Sequence, residues 1–266
     1  MPIPFQGTAW ALSNDGLAAV ASKLGVFAPE IWTVLAVETS ACGYLADRRP
    51  CILYERHVFH RLTAGQFDDG RISDPCAGGY GAPGAHQYER LNLATRLNRN
   101  AALQSTSWGI GQIMGEDFAA AGYRSVEDMV TAMLRSENDQ LEAIGNFLIG
   151  RELQVALQAR DWTTFARRYN GPDYATNCYD VRLNAESQKY LSGLLPDLNI
   201  RAVQLYLRYL GFHPGPVDGM AGKCTLSALT EFQIQARLVR NTTIDEHTVA
   251  QLKAALLPIS AAVSTQ

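Results

Sequence analysis

The chain has 266 residues, 47% of them hydrophobic and 18% charged, which suffices for a main domain and a smaller companion. This composition excludes a disordered chain, and no apolar run reaches transmembrane length. The net charge of −3 argues against a dedicated nucleic-acid binder, although residues 199–266 alone carry six Lys+Arg against four Asp+Glu.

The five cysteines predict neither a disulfide framework nor, without a CxxC pair, a zinc site. We expect mostly reduced, half-buried thiols, as in a protein made in the cytoplasm. The N-terminal residues MPIPFQGTAWALSNDG lack a basic region and contain prolines and an aspartate. We therefore expect no standard secretory signal.

Glu38 closes the second of two predicted N-terminal helices. After a short helix over residues 13–25, helical spacing places one carboxyl group on an apolar stripe made of Ile31, Val34, Leu35 and Glu38. Gly43 is predicted to end this helix. The negative end of the helix dipole and apolar neighbours both favour a protonated carboxyl group. Glu38 is therefore a candidate general acid, and the alternative is a solvated glutamate in the last turn.

A hairpin and a long loop are predicted to follow. Polar residues 46–50 predict a turn, and residues 51–59 predict a strand that passes into a helix. Residues 64–85 are rich in Gly, Asp, Ser and Pro and predict a long loop of the kind that covers or serves a functional site. His57 and His60 lack both an HExxH motif and a convincing third ligand, so we expect no metal site.

The remaining patterns are mainly helical. Helical stretches begin near Tyr88, at the capping residue Ser125 and at the capping residue Asp161, while SWGIGQIMG at residues 107–115 interrupts them. A Gly and a Pro within residues 191–199 predict a domain boundary. Beyond it, three short helical patterns are separated by two similar turns, PVDGMAGKCT and TIDEHT, as in a small three-helix bundle.

Three separated segments resemble the lysozyme-like superfamily and occur in its order. They are VETSACGY at residues 37–44, SWGIGQIMG, which is similar to the Ser-x-Gly-x-x-Gln segment of goose-type lysozymes and lytic transglycosylases, and RRYNGP at residues 167–172, which is similar to their Tyr-Asn motif. Together with RRPCILYERHVF and NCYD, they make residues 1–191 resemble the N-acetylmuramidase domain of modular phage endolysins. The resemblance implies a mainly α (α+β) lysozyme-like fold with a small β-hairpin.

The C-terminal residues 199–266 resemble the three-helix peptidoglycan-binding domain of cell-wall hydrolases. The matching pieces are LxxLGF, VDGxxGxxT and EFQ, and Lys223 and Cys224 depart from the pattern before Thr225. The resemblance implies an enzyme that lyses bacteria by cleaving peptidoglycan, without a cofactor, nucleic acid or stable membrane insertion. It further implies a monomer that is made in the host cytoplasm and, released by a holin, acts in the periplasm. A phage endolysin and a bacterial antibacterial effector both remain open.

The resemblance also implies catalytic roles. Glu38 matches the family's catalytic glutamate, which would protonate the β-1,4 glycosidic oxygen between N-acetylmuramic acid and N-acetylglucosamine. For a second carboxylate, the residues leave open Asp47, placed as in several phage lysozymes, Glu55 of the ERH segment, or none. The alternative for Glu55 is a buried ion pair with Arg48, Arg49 or Arg56.

Four further residues are expected to line the sugar cleft, since amides, hydroxyls and an aromatic ring suit a glycan: Ser107, Gln112, Tyr169 and Asn170. Trp108 is either a cleft platform or a core residue. The alternatives in function are a lytic transglycosylase that leaves an anhydro-muramic end, a non-catalytic wall-binding protein, and a zinc peptidase or amidase. Deletion of residues 199–266 should weaken activity on whole walls more than on short glycans, because tethering and effective concentration are lost.

Overall fold

The computed structural model describes residues 3–39 and 42–257, without the side chains of Glu38, Thr39 and Asp173. The first part of the chain is mainly helical, as predicted, and its helices are α1 (Asn14–Leu24), α2 (Ala28–Thr39), α3 (Arg56–Leu62), α4 (Gln87–Leu97), α5 (Arg99–Gln104), α6 (Val126–Arg135), α7 (Glu137–Gly150), α8 (Gln154–Ala159), α9 (Trp162–Tyr169) and α10 (Tyr179–Ser192). No single described helix is long and apolar enough to cross a membrane, although the bent pair Asn14–Leu24 and Ala28–Val37 passes by length and composition.

Side-chain caps fix where several helices begin. Ser125 and Asp161 accept hydrogen bonds from backbone N–H groups in the first turns of α6 and α9, as their sequence positions predict. The predicted long helix after Ser125 is interrupted by extended backbone at Ser136, which caps α7 in turn. The predicted long loop is present, since residues 63–83 form neither helix nor strand.

A three-stranded antiparallel sheet packs against α4 and α5, in the order β1 (Ile52–Tyr54), β2 (Thr106–Trp108) and β3 (Ile113–Met114). Leu53 pairs with Ser107, which pairs with Met114, so these three side chains share the outer face. The predicted hairpin covered only residues 46–59. In this part of the chain, one isolated antiparallel bridge joins Pro50 to Tyr44, just before the predicted turn. The main hairpin is instead β2–β3, within the SWGIGQIMG segment that was predicted only to interrupt helices.

The C-terminal bundle consists of three helices, as predicted: α11 (Leu198–Tyr209), α12 (Lys223–Gln235) and α13 (Glu246–Leu256). Asp197 caps α11, and Asp245 caps α13 by accepting from Thr248 N at 2.9 Å. Gln204 of α11 fixes the PVDGMAGKCT turn, because its side-chain oxygen accepts from both Asp218 N and Gly219 N.

Two hydrophobic cores hold the molecule together. The larger core includes Trp32, Leu35, Trp108 and Phe165. The smaller core joins bundle residues such as Val203, Leu207, Phe232 and Leu252 with Ala9, Ala11 and Tyr44 from the first part of the chain. The bundle therefore shares its core with the N-terminal segment and with the residues that follow α2.

All five cysteines are free. Cys42 and Cys51 are half-buried, as expected for reduced thiols. Burial raises the pKa of the Cys51 thiol to about 12. The other three are exposed, so the expectation of half-buried thiols is wrong for Cys76, Cys178 and Cys224.

Candidate active site

The three motif segments meet at the C-terminal end of α2. Cys51, directly before β1, donates its N–H to Gly43 O at 2.8 Å, and its carbonyl oxygen accepts from Gly109 N at 2.9 Å. The Tyr169 hydroxyl donates to Gly111 O at 2.9 Å. Backbone groups of VETSACGY and SWGIGQIMG are thus linked to each other through Cys51, and RRYNGP is linked to the same turn.

Glu38 lies in the last turn of α2, and its side chain is outside the described residues. The described part of α2 reaches Thr39, and Cys42 and Gly43 lie outside the helix. Arg182 of α10 donates from Nη2 to Val37 O at 3.0 Å. A cation therefore satisfies a carbonyl group at the negative end of the helix, in the peptide bond that leads into Glu38.

Gly43 occupies a position with no room for a side chain. A Cβ added there would lie 2.0 Å from Gln140 Oε1. Gln140 is buried and fixed, since its Oε1 accepts from Ile110 N at 2.8 Å and its Nε2 donates to Met133 O at 2.9 Å. The segment that follows α2 can therefore approach the SWGIGQIMG turn closely.

Ser107 and Gln112 form a brace across the β2–β3 hairpin. Ser107 Oγ donates to Gln112 Oε1 at 2.8 Å, and Gln112 Nε2 donates to Gly109 O at 2.8 Å and to Cys51 O at 3.2 Å. Gln112 has a φ of 49°, in the left-handed region that costs free energy for a residue with a side chain. Both predicted sugar ligands thus form hydrogen bonds within the protein.

Tyr169 and Asn170 lie at the end of α9, beside the same turn. The Tyr169 ring stacks on Phe165 with ring centroids 5.4 Å apart and meets the edge of Phe147 at 5.6 Å, so it contributes to the core as well as to the site. Asn170 is half-buried at the C-cap of α9. Trp108 is a core residue rather than a platform, because it is 0% exposed and its Nε1 donates to Leu103 O.

Asp47 is bound within the turn that precedes β1. Its Oδ2 accepts from Arg49 Nε at 2.8 Å, and its Oδ1 accepts from Arg49 N at 3.1 Å. The Arg49 guanidinium also stacks over the Tyr88 ring at 4.1 Å. These contacts orient the Asp47 carboxylate toward its own turn.

Glu55 follows β1 and occupies the N-cap position of α3, although its side chain makes no capping hydrogen bond. Its alternation with Leu53 puts it on the outer face of the sheet, the face that carries Ser107. The alternative interpretation, an ion pair with an arginine, is wrong: Arg48 donates to Thr8 O, Arg49 pairs with Asp47, and Arg56 pairs with Asp74.

The environment of Glu55 favours its protonated form. Glu55 Oε2 lies 3.2 Å from His57 Nδ1, and within the described part of the chain neither of these buried atoms has a partner in hydrogen-bonding geometry. Burial raises the pKa of Glu55, while the His57 charge and a hydrogen bond from Tyr80 oppose that rise in part. A catalytic role is one reason for a protein to retain such groups.

The two histidines considered as metal ligands each face one carboxylate. His57 faces Glu55, and His60 Nδ1 lies 2.7 Å from Asp68 Oδ1. In the ranges that the structure describes, no three or more His, Cys, Asp or Glu side chains group in a way that could hold a metal ion.

Three residues of the site were not found from the sequence. Arg182, Gln140 and Tyr80 contact it from α10, α7 and the long loop, respectively. Only Tyr80 had a signal, because the composition of its loop predicted a covering segment. Arg182 and Gln140 are polar residues in helical patterns, and their partners lie far along the chain.

Comparisons with known proteins agree with this geometry. The sequence model of the N-acetylmuramidase family matches residues 28–191, and that of a putative peptidoglycan binding domain matches residues 196–252. The crystal structure of the Burkholderia AP3 phage endolysin is similar, with 37% identity, a TM-score of 0.62, and coverage of 72% of this chain and 73% of that one. No curated protein matches. With the motif segments of a lysozyme-like site joined at the end of α2, the chain belongs to the N-acetylmuramidase family and is a peptidoglycan hydrolase with a C-terminal peptidoglycan-binding domain.

Proposed function

We propose that the protein hydrolyses the β-1,4 bond between N-acetylmuramic acid and N-acetylglucosamine, with Glu38 as the general acid. The proposal is carried by the hydrogen bonds that join the three motif segments. Cys51 links Gly43 to Gly109, and Tyr169 bonds to Gly111 of the same turn. Gly43 belongs to the motif segment that contains Glu38, in the last turn of α2. Glycoside hydrolysis needs a protonated carboxyl group at the leaving oxygen. A carboxyl group at a helix C-terminus is favoured in that form.

We propose Glu55 rather than Asp47 as the second carboxylate. The Asp47 carboxylate accepts hydrogen bonds from Arg49 through both oxygens, which supports a structural role in its turn. Glu55 is mostly buried on the outer face of the sheet, and its raised pKa moves it toward the range in which a carboxylate serves as a general base. In this role it would activate a water molecule or stabilise the oxocarbenium-like transition state.

Substitution of Glu38 tests the main assignment. Glu38→Gln removes the transferable proton and keeps the size of the side chain, so clearing of permeabilised Gram-negative cells should stop. Binding to isolated cell walls should continue, because the C-terminal bundle is unchanged. Full lytic activity of Glu38→Gln would contradict the proposal.

A matched pair of variants tests the second carboxylate. Glu55→Gln should lower kcat by about 100-fold to 10,000-fold, the usual contribution of a general base. Asp47→Asn should act mainly through stability, because it weakens the contact with Arg49. If Glu55→Gln lowers kcat by less than about tenfold, the loss is well below the usual contribution of a general base. Glu38 would then be the only catalytic carboxylate.

The products define the reaction. Hydrolysis leaves a reducing N-acetylmuramic acid end, whereas a lytic transglycosylase leaves an anhydro end that is lighter by one water. Mass spectrometry of the released muropeptides separates the two, and we expect the reducing product. Anhydro ends would assign the chain to transglycosylase chemistry with Glu38 still as the acid.

We also propose that the protein works as a monomer that a holin releases from the host cytoplasm to the periplasm, without nucleic acid as a partner. The similarity to a phage endolysin supports this proposal. Expression in the cytoplasm with and without a holin, followed by culture turbidity, tests it. Lysis at equal rates in both cultures would contradict the need for a holin.

A further inference from the structure

The C-terminal bundle is docked on the segment that follows α2, rather than joined to the catalytic domain by a linker alone. Arg208 of α11 donates from Nη2 to Tyr44 O, and the same nitrogen lies 3.0 Å from Cys42 Sγ. The Tyr44 side chain is buried in the core that the bundle forms. Residues 42–44, here called the post-helix segment, are thus held directly by the bundle.

Two tyrosines of α11 attach the bundle to the N-terminal segment as well. The Tyr206 hydroxyl accepts from Ala11 N at 3.0 Å, and the Tyr209 hydroxyl donates to Ala9 O at 3.0 Å. Ala9 and Ala11 are buried in the shared core. The bundle therefore has a fixed place on the catalytic domain.

A buried ion pair connects α11 to the post-helix segment more deeply. Arg201 of α11 donates from Nη1 and Nη2 to the two carboxylate oxygens of Glu137, and both side chains are 0% exposed. Glu137 Oε1 also accepts from Gly43 N at 2.9 Å, and Oε2 accepts from Leu12 N at 2.9 Å. One carboxylate thus links the bundle, the N-terminal segment and the post-helix segment.

The charge of Glu137 depends on this arrangement. Burial alone would raise the pKa of Glu137, but the Arg201 guanidinium and the N–H groups of Gly43 and Leu12 outweigh burial and lower it. Without Arg201, Glu137 would be a buried charge without a cation, which is strongly unfavourable. The acceptor that holds Gly43 is therefore maintained by a residue of the bundle.

We propose that helix α11 is part of the scaffold that positions the end of α2, with Glu137, Arg201 and Arg208 as positioning residues for Glu38. This inference rests on the proposed role of Glu38. The contacts from the bundle reach Cys42 and Tyr44 directly and Gly43 through Glu137, and this segment begins four positions after Glu38 in the chain. The bundle thus serves turnover itself, in addition to binding the wall.

Tethering alone gives a different expectation. A tether raises the local concentration of enzyme on insoluble walls and contributes nothing on short soluble glycans. A positioning role predicts loss of kcat on soluble glycans too, because a small misplacement of a catalytic group can cost up to about 100-fold in rate.

Two double variants separate positioning from stability. Glu137→Gln with Arg201→Met removes both charges and keeps a side-chain oxygen that can accept from Gly43 N. Glu137→Leu with Arg201→Met also removes both charges but leaves no acceptor for Gly43 N or Leu12 N, so this variant should be less stable as well. The two variants differ in the anchor of Gly43.

The assay is turnover of soluble, uncross-linked glycan strands, with folding followed by circular dichroism and wall binding by sedimentation with cell walls. We expect Glu137→Leu with Arg201→Met to lower kcat about tenfold or more, with KM and wall binding near wild type. Glu137→Gln with Arg201→Met should keep most of the wild-type kcat. Arg99→Met, in the exposed Arg99–Glu127 pair, is the control and should leave all three readouts unchanged.

Equal kcat on soluble strands for wild type and both double variants would overturn the inference, as would losses confined to insoluble walls. Arg208→Gln tests the contribution of α11 itself, whether or not the double variant Glu137→Leu with Arg201→Met folds. Arg208→Gln removes the contact with Tyr44 O and leaves no buried carboxylate behind, and it must still lower kcat on soluble strands. A wild-type protein that cleaves no glycan would instead contradict the proposed function.

Discussion

The brace between Ser107 and Gln112 predicts that Gln112→Ala destabilises the protein as well as slowing it. The Gln112 side chain makes three hydrogen bonds, to Ser107 Oγ, Gly109 O and Cys51 O. Each such bond contributes about 0.5–1.5 kcal/mol net, so the loss of all three costs about 2–4 kcal/mol. The positive φ adds nothing to this difference, because alanine is strained in the same way.

Thermal unfolding followed by circular dichroism measures the effect. A loss of 1 kcal/mol lowers Tm by about 2–4 °C in a chain of this size, so Gln112→Ala should lower Tm by about 4–16 °C. Ser107→Ala removes one bond of the brace and should cost about 1 kcal/mol. If Gln112→Ala only raises KM and keeps the Tm of wild type, Gln112 is a sugar ligand and the reasoning from the brace is refuted.

Two further predictions concern packing and pH. Gly43→Ala should lose about 1–3 kcal/mol in the free energy of unfolding, because its Cβ would lie 2.0 Å from Gln140 Oε1. Gly222→Ala meets nothing within 4 Å, and because Gly222 is the N-cap of α12 it should lose at most about 1 kcal/mol in urea unfolding. For Glu55 the raised pKa in the folded state means that protonation contributes stability at low pH, and this contribution is lost as pH rises through that pKa. Glu55→Gln should therefore have the Tm of wild type near pH 4 and a higher Tm at pH 7, and a difference that shrinks with rising pH would contradict this sign.

Local signals predicted the helices well. Ser125 and Asp161 begin their helices as capping residues because the relevant hydrogen bonds span only three residues of the chain. The three helices of the bundle also follow from their own periodicity. The sheet was predicted only in part, because the partner of β1 is β2, which follows about fifty residues later.

For the site, the motifs predicted which segments meet, whereas the hydrogen-bond partners of their side chains within the protein are known only from the structure. Ser107 and Gln112 are bonded to each other, and Asp47 is bonded to Arg49. Hydrogen-bond partners of this kind depend on distances of a few ångströms between segments. Such distances follow from tertiary packing and not from the residue types alone.

The sequence by itself determined the fold class, the order of the elements and the family, because periodicity, caps and short motifs are properties of neighbouring residues. Only the tertiary structure decided that the C-terminal bundle packs on the segment that follows α2. Glu137 looks in the sequence like an ordinary acidic residue in the first turn of a helix, and Arg201 like an ordinary basic residue on another. Their pairing at 0% exposure arises because folding removes both from water together, so that each charge is stable only in the presence of the other.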